Sequence, residues 1–293
     1  MKKFNKIATI NVLNLPKFAE TELQNYSQSE ISFVTTDSSS EDETISRIGE
    51  AEAALGSWNT TITPKVLDSC PNLKYIGICG TSLTYVNTQA AESRGIVVKN
   101  VIDYGDEATA EFIFARLLML IRGFDKFKWD NEPRELNSKK FGIIGLGAVG
   151  RQVAKIALGF GMDVQYYSRT RNLDIENLGI KYTLLDELLS SSEIISLHVP
   201  RNLRIINNRE FNLIKKGAIL VNTSIGDVFD LDEFREWIKK GDNYAIIDNQ
   251  SYVADLSNLP NCVALPITAG KTKESIDRLG NKVIENVKAY LSS

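Results

Sequence analysis

Along the first hundred residues, short apolar runs alternate with helical stretches. The runs "KIATINV" (6–12), "ISFVTT" (31–36), "AEAAL" (51–55), "LKYIGIC" (73–79) and "GIVVKN" (95–100) predict strands. Residues 17–26, 41–50, 64–69 and 84–93 predict the helices between them. Such alternation implies a parallel sheet with helices on both faces. The segment "EATAEFIFARLLMLIRGFDKF" (107–127) is apolar nearly all round, the mark of a helix buried between domains or subunits. After the loop "WDNEPRELNSKK" (129–140) a second series begins with "KFGIIGLG" and continues through "DVQYYS", "EIISLHV", "AILVNTS", "AIIDNQ" and "CVALPI". A final helix is expected over 272–291, and no solenoid repeat or low-complexity tract interrupts the pattern. The fold class is therefore α/β, with two doubly wound parallel-sheet domains.

Composition narrows the partners. At 293 residues the chain has room for two cores, and 43% hydrophobic with 24% charged residues is the balance of a packed soluble protein. A net charge of -3 without like-charge blocks gives no reason to expect nucleic acid or a membrane surface as partner. The acidic patch "SSSEDE" (38–43) reads as a helix start. Thr9, Asn11 and Asn14 break the N-terminal apolar stretch, which reads as a strand rather than a signal peptide. The run "FIFARLLMLI" (112–121) is about half a bilayer span and carries Arg116, so it is read as a buried helix. Cys70, Cys79 and Cys262 have no metal spacing and suit a reducing cytoplasm, so no metal is expected.

The chemistry begins at "IIGLGAVG" (143–150), a strand that runs into glycines spaced GxGxxG and then into a helix. In that context Gly145 makes the turn, Gly147 lets the backbone approach a pyrophosphate, and Gly150 packs helix on strand. The phosphates would lie on the helix N-terminus, beside Ala148 and Val149. A tight turn without a ligand is the alternative. About twenty residues past such a loop an acid normally takes the ribose hydroxyls of NAD. Here Ser168 stands there, followed by Arg169, Thr170 and Arg171. A serine that leaves room and a guanidinium that forks onto a phosphate favour NADP(H) over NAD(H). Two solvated arginines in a surface loop are the competing reading.

The chain resembles the D-isomer-specific 2-hydroxyacid dehydrogenase family over nearly its whole length. The resemblance rests on "LKYIGICGTSLTYVNTQAAESRGIVVKNV", "YGDEATAE", "FGIIGLGAVGRQVAKIALGFGM", "SLHVP" and "KKGAILVNTS", in that order. It implies a flavodoxin-like substrate domain (1–101 plus 272–293) into which a Rossmann cofactor domain (102–271) is inserted. It also implies a homodimer built around the cofactor domain. His198, Val199 and Pro200 match the family segment beside the cofactor, Thr223 and Ser224 line the same edge, and Asp248 matches the aspartate at the nicotinamide end. Cys79, Gly80, Thr81 and Ser82 resemble the loop whose amides receive a substrate carboxylate. Ser82 replaces a usual glycine, and its hydroxyl is expected to cap the following helix or to touch a ligand.

The resemblance fails at the reacting end. Family members hold a 2-oxo acid with an arginine, protonate it with a histidine and orient that histidine with a glutamate. Their positions here carry Ile225, Ile267 and Val253. No arginine lies between Arg209 and Arg235, no glutamate between Glu236 and Glu274, and His198 is the chain's one histidine. Asp103, Tyr104, Asp106, Tyr252 and Lys271 are the polar groups the family geometry would place near the nicotinamide. Tyr104, Lys271 and His198 are the candidates for a replacement acid. Three readings follow: a reductase of an activated C=N or C=O small molecule, a catalytically inactive NADP(H)-binding sensor or scaffold, and a residual reductase of glyoxylate- or hydroxypyruvate-type acids.

Overall fold

The computed structural model describes residues 2–124, 126–240, 242–248, 256–265 and 269–293. It divides into two compact units, Met1–Tyr104 with Thr272–Ser293, and Gly105–Lys271. The break falls after Tyr104 rather than after residue 101, because Val101 and Tyr104 both pack into the first unit's core.

In the first unit, β1 (Ile7–Thr9), β2 (Ala53–Ser57), β3 (Tyr75–Cys79) and β4 (Val97–Asn100) form a parallel sheet in that spatial order. Between them run α1 (Lys17–Leu23), α2 (Glu41–Ile48), α3 (Pro64–Ser69) and α4 (Thr88–Glu92). The acidic patch does open α2: Ser40 caps it, its hydroxyl accepting from the amide of Glu43 at 3.2 Å. One expected strand is absent. Residues 31–34 run extended beside β1, but the Thr9 hydroxyl replaces a backbone ladder, donating to Ser32 O at 2.8 Å and accepting from Val34 N at 3.0 Å. The apolar pattern there reflects burial of Ile31, which needs no sheet pairing.

The C-terminal helix Lys273–Ser292 returns to this unit and buries Leu279, Val283, Ile284, Val287 and Leu291 against α1 and the sheet. A Cβ at Gly280 would stand 2.8 Å from Pro16 Cγ and 2.9 Å from Ala19 Cβ, so only glycine lets the helix come this close.

The second unit opens with α5 (Asp106–Ile121), which buries Ala110, Ile113, Phe114, Leu117, Leu120 and Ile121. Next come β5 (Lys140–Ile144), α6 (Ala148–Gly159), β6 (Asp163–Tyr167), α7 (Leu173–Glu176), β7 (Lys181–Tyr182), α8 (Leu185–Ser191) and β8 (Ile194–Leu197). Then follow α9 (Asn208–Leu213), β9 (Ile219–Asn222), α10 (Leu231–Lys239), β10 (Tyr244–Asp248) and β11 (Cys262–Leu265). The strands are parallel in the order β7-β6-β5-β8-β9-β10-β11, so the winding reverses between β5 and β8. In such sheets ligands bind outside the carboxyl ends of the strands at that reversal.

Gly280→Ala sets helix propensity, worth about 1 kcal/mol in favour of alanine, against overpacking that costs about 1–3 kcal/mol. The clash should win, and urea unfolding should show a lower midpoint for the variant.

Candidate functional site

At the reversal the chain leaves β5 through Gly145 and leaves β8 through His198. The amide of His198 donates to Ile144 O at 2.7 Å, and the amide of Gly145 donates to Tyr167 O at 2.8 Å. Gly145 has φ +96° and faces the opposite backbone so closely that a Cβ would lie 2.1 Å from His198 O. A Cβ on Gly150 would lie 2.2 Å from Gly145 O, which locks α6 onto the turn. At Gly147 nothing lies within 4 Å of the same position, so the backbone there is open to a ligand. The turn at Gly145 and the close packing at Gly150 are the steric demands read from sequence. The first turn of α6 carries no acidic residue, and no side chain caps its N-terminus. Its amides are available to an anion. The turn thus fits a dinucleotide pyrophosphate.

At the end of β6, Ser168 is half-buried and Arg169, Thr170 and Arg171 are exposed. Arg171 is committed within the unit. Its Nε donates to Glu176 at 3.0 Å, its second nitrogen pairs with the same carboxylate, and its guanidinium lies over Tyr182 at 5.2 Å.

The segment after β8 is tied to the one after β9. Ser224 Oγ donates to Leu197 O and accepts from Val199 N, both at 3.1 Å, while Ser224 N donates to Asn222 Oδ1 at 3.0 Å. Asn222, which the sequence reading passed over, is fully buried with its Nδ2 unpartnered, a donor suited to a water or ligand oxygen. A polar residue closing the apolar run "ILVN" was the available signal. Thr223 is half-buried and Pro200 is exposed. His198 keeps some exposure as a residue, but its ring is desolvated, which pushes its pKa down to about 3. Its Nε2 lies 2.9 Å from the hydroxyl of buried Ser196. A neutral imidazole so held has no surplus proton to give at neutral pH, which argues against His198 as the acid. Asp248, 9% exposed, accepts a hydrogen bond from the amide of Ala269, and burial pushes its carboxyl up to about 6.

Ile225 follows Ser224 and is 57% exposed. Tyr252, Val253 and Ile267 lie outside the described residues. Lys271 is exposed, as is Asp103 at φ 55°. Tyr104 is half-buried in the first unit, and its carbonyl accepts from Arg278 Nε at 2.9 Å. In that unit Cys79 ends β3 and Gly80 backs onto Trp58, whose Cβ would be 3.2 Å from a side chain there. Thr81 O accepts from Asn100 Nδ2 at 2.6 Å. Ser82 does not cap the next helix. Its hydroxyl accepts from Thr84 N at 3.2 Å, and Asn87 caps α4 instead, because the helix begins later than the pattern suggested. Among the described residues no cluster of histidine, cysteine or acidic side chains suits a metal, and no helix is long and apolar enough to cross a membrane.

Residues 115–269, more than half of the chain, match the NAD binding domain of D-isomer specific 2-hydroxyacid dehydrogenases. A hydroxypyruvate reductase of Blautia hydrogenotrophica is 30% identical over 276 residues, 85% of this chain and 85% of that protein. The chain belongs to the D-isomer specific 2-hydroxyacid dehydrogenase family. As a member of this family it is an oxidoreductase, and its second unit holds a pyridine-nucleotide-binding domain. A glyoxylate reductase of Thermococcus litoralis is also 30% identical, over 84% of this chain and 82% of its own length. Among solved structures of this fold, an acyclic imino acid reductase in complex with NADPH and D-Arg has a TM-score of 0.84 at 27% identity, covering 98% of this chain and 97% of that one. A D-lactate dehydrogenase of Aquifex aeolicus, complexed with NAD and lactic acid, has a TM-score of 0.81 at 27% identity over 98% and 96%.

Two outcomes follow. Gly147→Ala should leave the urea midpoint nearly unchanged yet weaken nucleotide binding roughly tenfold or more by blocking backbone approach, as read by fluorescence titration. Asp248 has a folded pKa of about 6 against an ordinary 3.8, so its ionised form destabilises the fold above about pH 6 and not below about pH 4. Asp248→Asn should stabilise the protein by about 3 kcal/mol at pH 7, with the gain vanishing near pH 4 in denaturant midpoints.

Proposed function

We propose that this chain is an NADP(H)-dependent reductase whose reacting end has been rebuilt for an activated C=N or C=O small molecule. The observation that carries the reading is an intact dinucleotide turn, which admits no Cβ at Gly145 or Gly150, combined with an exposed aliphatic Ile225 on the loop after β9. In this reading Gly105–Lys271 binds the nucleotide, which supplies hydride when bound. The other unit serves the substrate through Cys79, Gly80, Thr81 and Ser82. Ser168, which bears no charge, and Arg169 favour a 2'-phosphate over a bare ribose.

An iminium suits this site chemically. It already bears the positive charge that a ketone acquires only by protonation, so reduction proceeds without a charged histidine. His198, held neutral, then positions the loop after β8. The acyclic imino acid reductase with NADPH supports this choice. The relatives named for hydroxypyruvate and glyoxylate favour a second reading, reduction of a short 2-oxo acid. We also propose a homodimer through the second unit, supported by Phe112 and Leu118, which α5 leaves only partly buried.

The test follows NADPH absorbance against cyclic imines, dihydropterins, aldehydes, and 2-oxo acids with and without an amine. Oxidation that requires the amine or a preformed imine supports the first reading. Oxidation with glyoxylate or hydroxypyruvate alone supports the second, and nucleotide binding without turnover supports the sensor. Arg169→Ala should weaken NADPH by roughly tenfold or more, the order of one charge-assisted pair, while NADH is unchanged. Equal loss for both nucleotides would remove the phosphate-reading role.

A further inference from the structure

At the amino ends of β1, β2 and β3, the edge opposite the one from which Cys79–Ser82 leave, the first unit holds an open cavity of about 580 Å³. That is within the range of roughly 300–1,000 Å³ in which small ligands are held. Its walls are the segments that enter the three strands, laced by their backbones. Glu52 N donates to Lys6 O at 3.1 Å, Lys74 N to Glu52 O at 2.8 Å, Phe4 N to Tyr26 O at 2.9 Å and Gln28 N to Phe4 O at 2.9 Å. One wall is aromatic. Buried Phe4 stacks on Tyr290 with ring centroids 5.4 Å apart, and Tyr75 lies 5.0 Å from the same ring. Tyr290, near the end of the C-terminal helix, is half-buried and lines the cavity with Phe4.

The charges around this cavity do not balance. Glu52 is the one acid among the described residues that line it, and it is already engaged, with Lys74 Nζ 2.7 Å away and the amide of Asn5 donating to it at 2.6 Å. Lys2 and Lys3 also line the cavity, are exposed, and pair with no carboxylate among the described residues. We infer that the cavity binds a small organic anion, a flat apolar body bearing one carboxylate. The body lies against Tyr290 and Phe4, since aromatic surfaces accept a flat partner in offset or tilted stacking. The carboxylate meets Lys2 and Lys3, which act as compact point charges on flexible stems. Because exposed ion pairs contribute little each, burial of the flat body supplies most of the affinity. The length of β3, Tyr75–Cys79, sets this cavity apart from the Cys79–Ser82 loop by roughly 13 Å at about 3.3 Å per residue. It is therefore a second site, and the inference does not depend on the reductase reading.

The test is calorimetry on NADPH-saturated protein, with 2-naphthoate, 2-naphthamide and inorganic phosphate as probes. 2-Naphthoate should bind saturably, the amide roughly fivefold more weakly, and phosphate more weakly still. Lys2→Gln combined with Lys3→Gln should weaken 2-naphthoate by roughly fivefold, the order of two exposed charge pairs, and leave the amide unchanged. Tyr290→Leu should weaken acid and amide alike. Lys65→Gln, whose ammonium pairs with Asp42 at 2.8 Å on the exposed side of α3, should change neither. Urea midpoints show that each variant is folded, and the exposed lysine variants keep the test alive if Tyr290→Leu is not. No saturable binding of 2-naphthoate, wild-type affinity in the lysine variant, an equal loss in Lys65→Gln, or phosphate bound as tightly as 2-naphthoate would overturn the assignment.

Discussion

The second unit is organised around a backbone contact that leaves no room for a side chain. The carbonyl of His198 occupies the space a Cβ at residue 145 would need, so β5 and β8 can separate only through a glycine. From that contact the turn swings outward, α6 starts against Gly145 O, and the segment after β8 is pinned between the turn and Ser224. The glycine turn and the segments after β8 and β9 are therefore tied together by main-chain and hydroxyl contacts. Their geometry is set by main-chain packing more than by any ion pair.

Desolvation gives this assembly its electrostatic character. The ring of His198 and the carboxyl of Asp248 are displaced in opposite directions, each toward its neutral form. For His198 that means an imidazole without a surplus proton at neutral pH. The same desolvation would penalise any further charge brought against the ring of His198.

Much of this was legible in the chain. The glycine turn was readable because Gly145 and Gly150 each answer a separate steric demand, and β2, β3, β5, β8 and β9 because buried parallel strands are continuous apolar runs. The misreadings share a cause. At 31–34 the pattern registered burial but could not register that Thr9 would take the place of a ladder. At Ser82 the hydroxyl looked like a cap, but four residues separate it from Asn87, which caps the helix instead. Local preference is written in sequence, whereas competition between distant partners is settled by the fold.

The return of the last helix to the first unit fixes an order of assembly during synthesis. Residues 1–104 emerge first, yet the core around Ala19, Leu23 and Tyr75 lacks Leu279, Val283 and Val287 until the ribosome has made the whole intervening unit. The later unit, continuous in sequence, can complete its sheet while the earlier one still exposes apolar surface. The nascent chain must hold that surface in solution for more than 160 residues of elongation, counted from Gly105 to Lys271. That places the period of greatest exposure to chaperones and proteases on the first-made segment rather than the last.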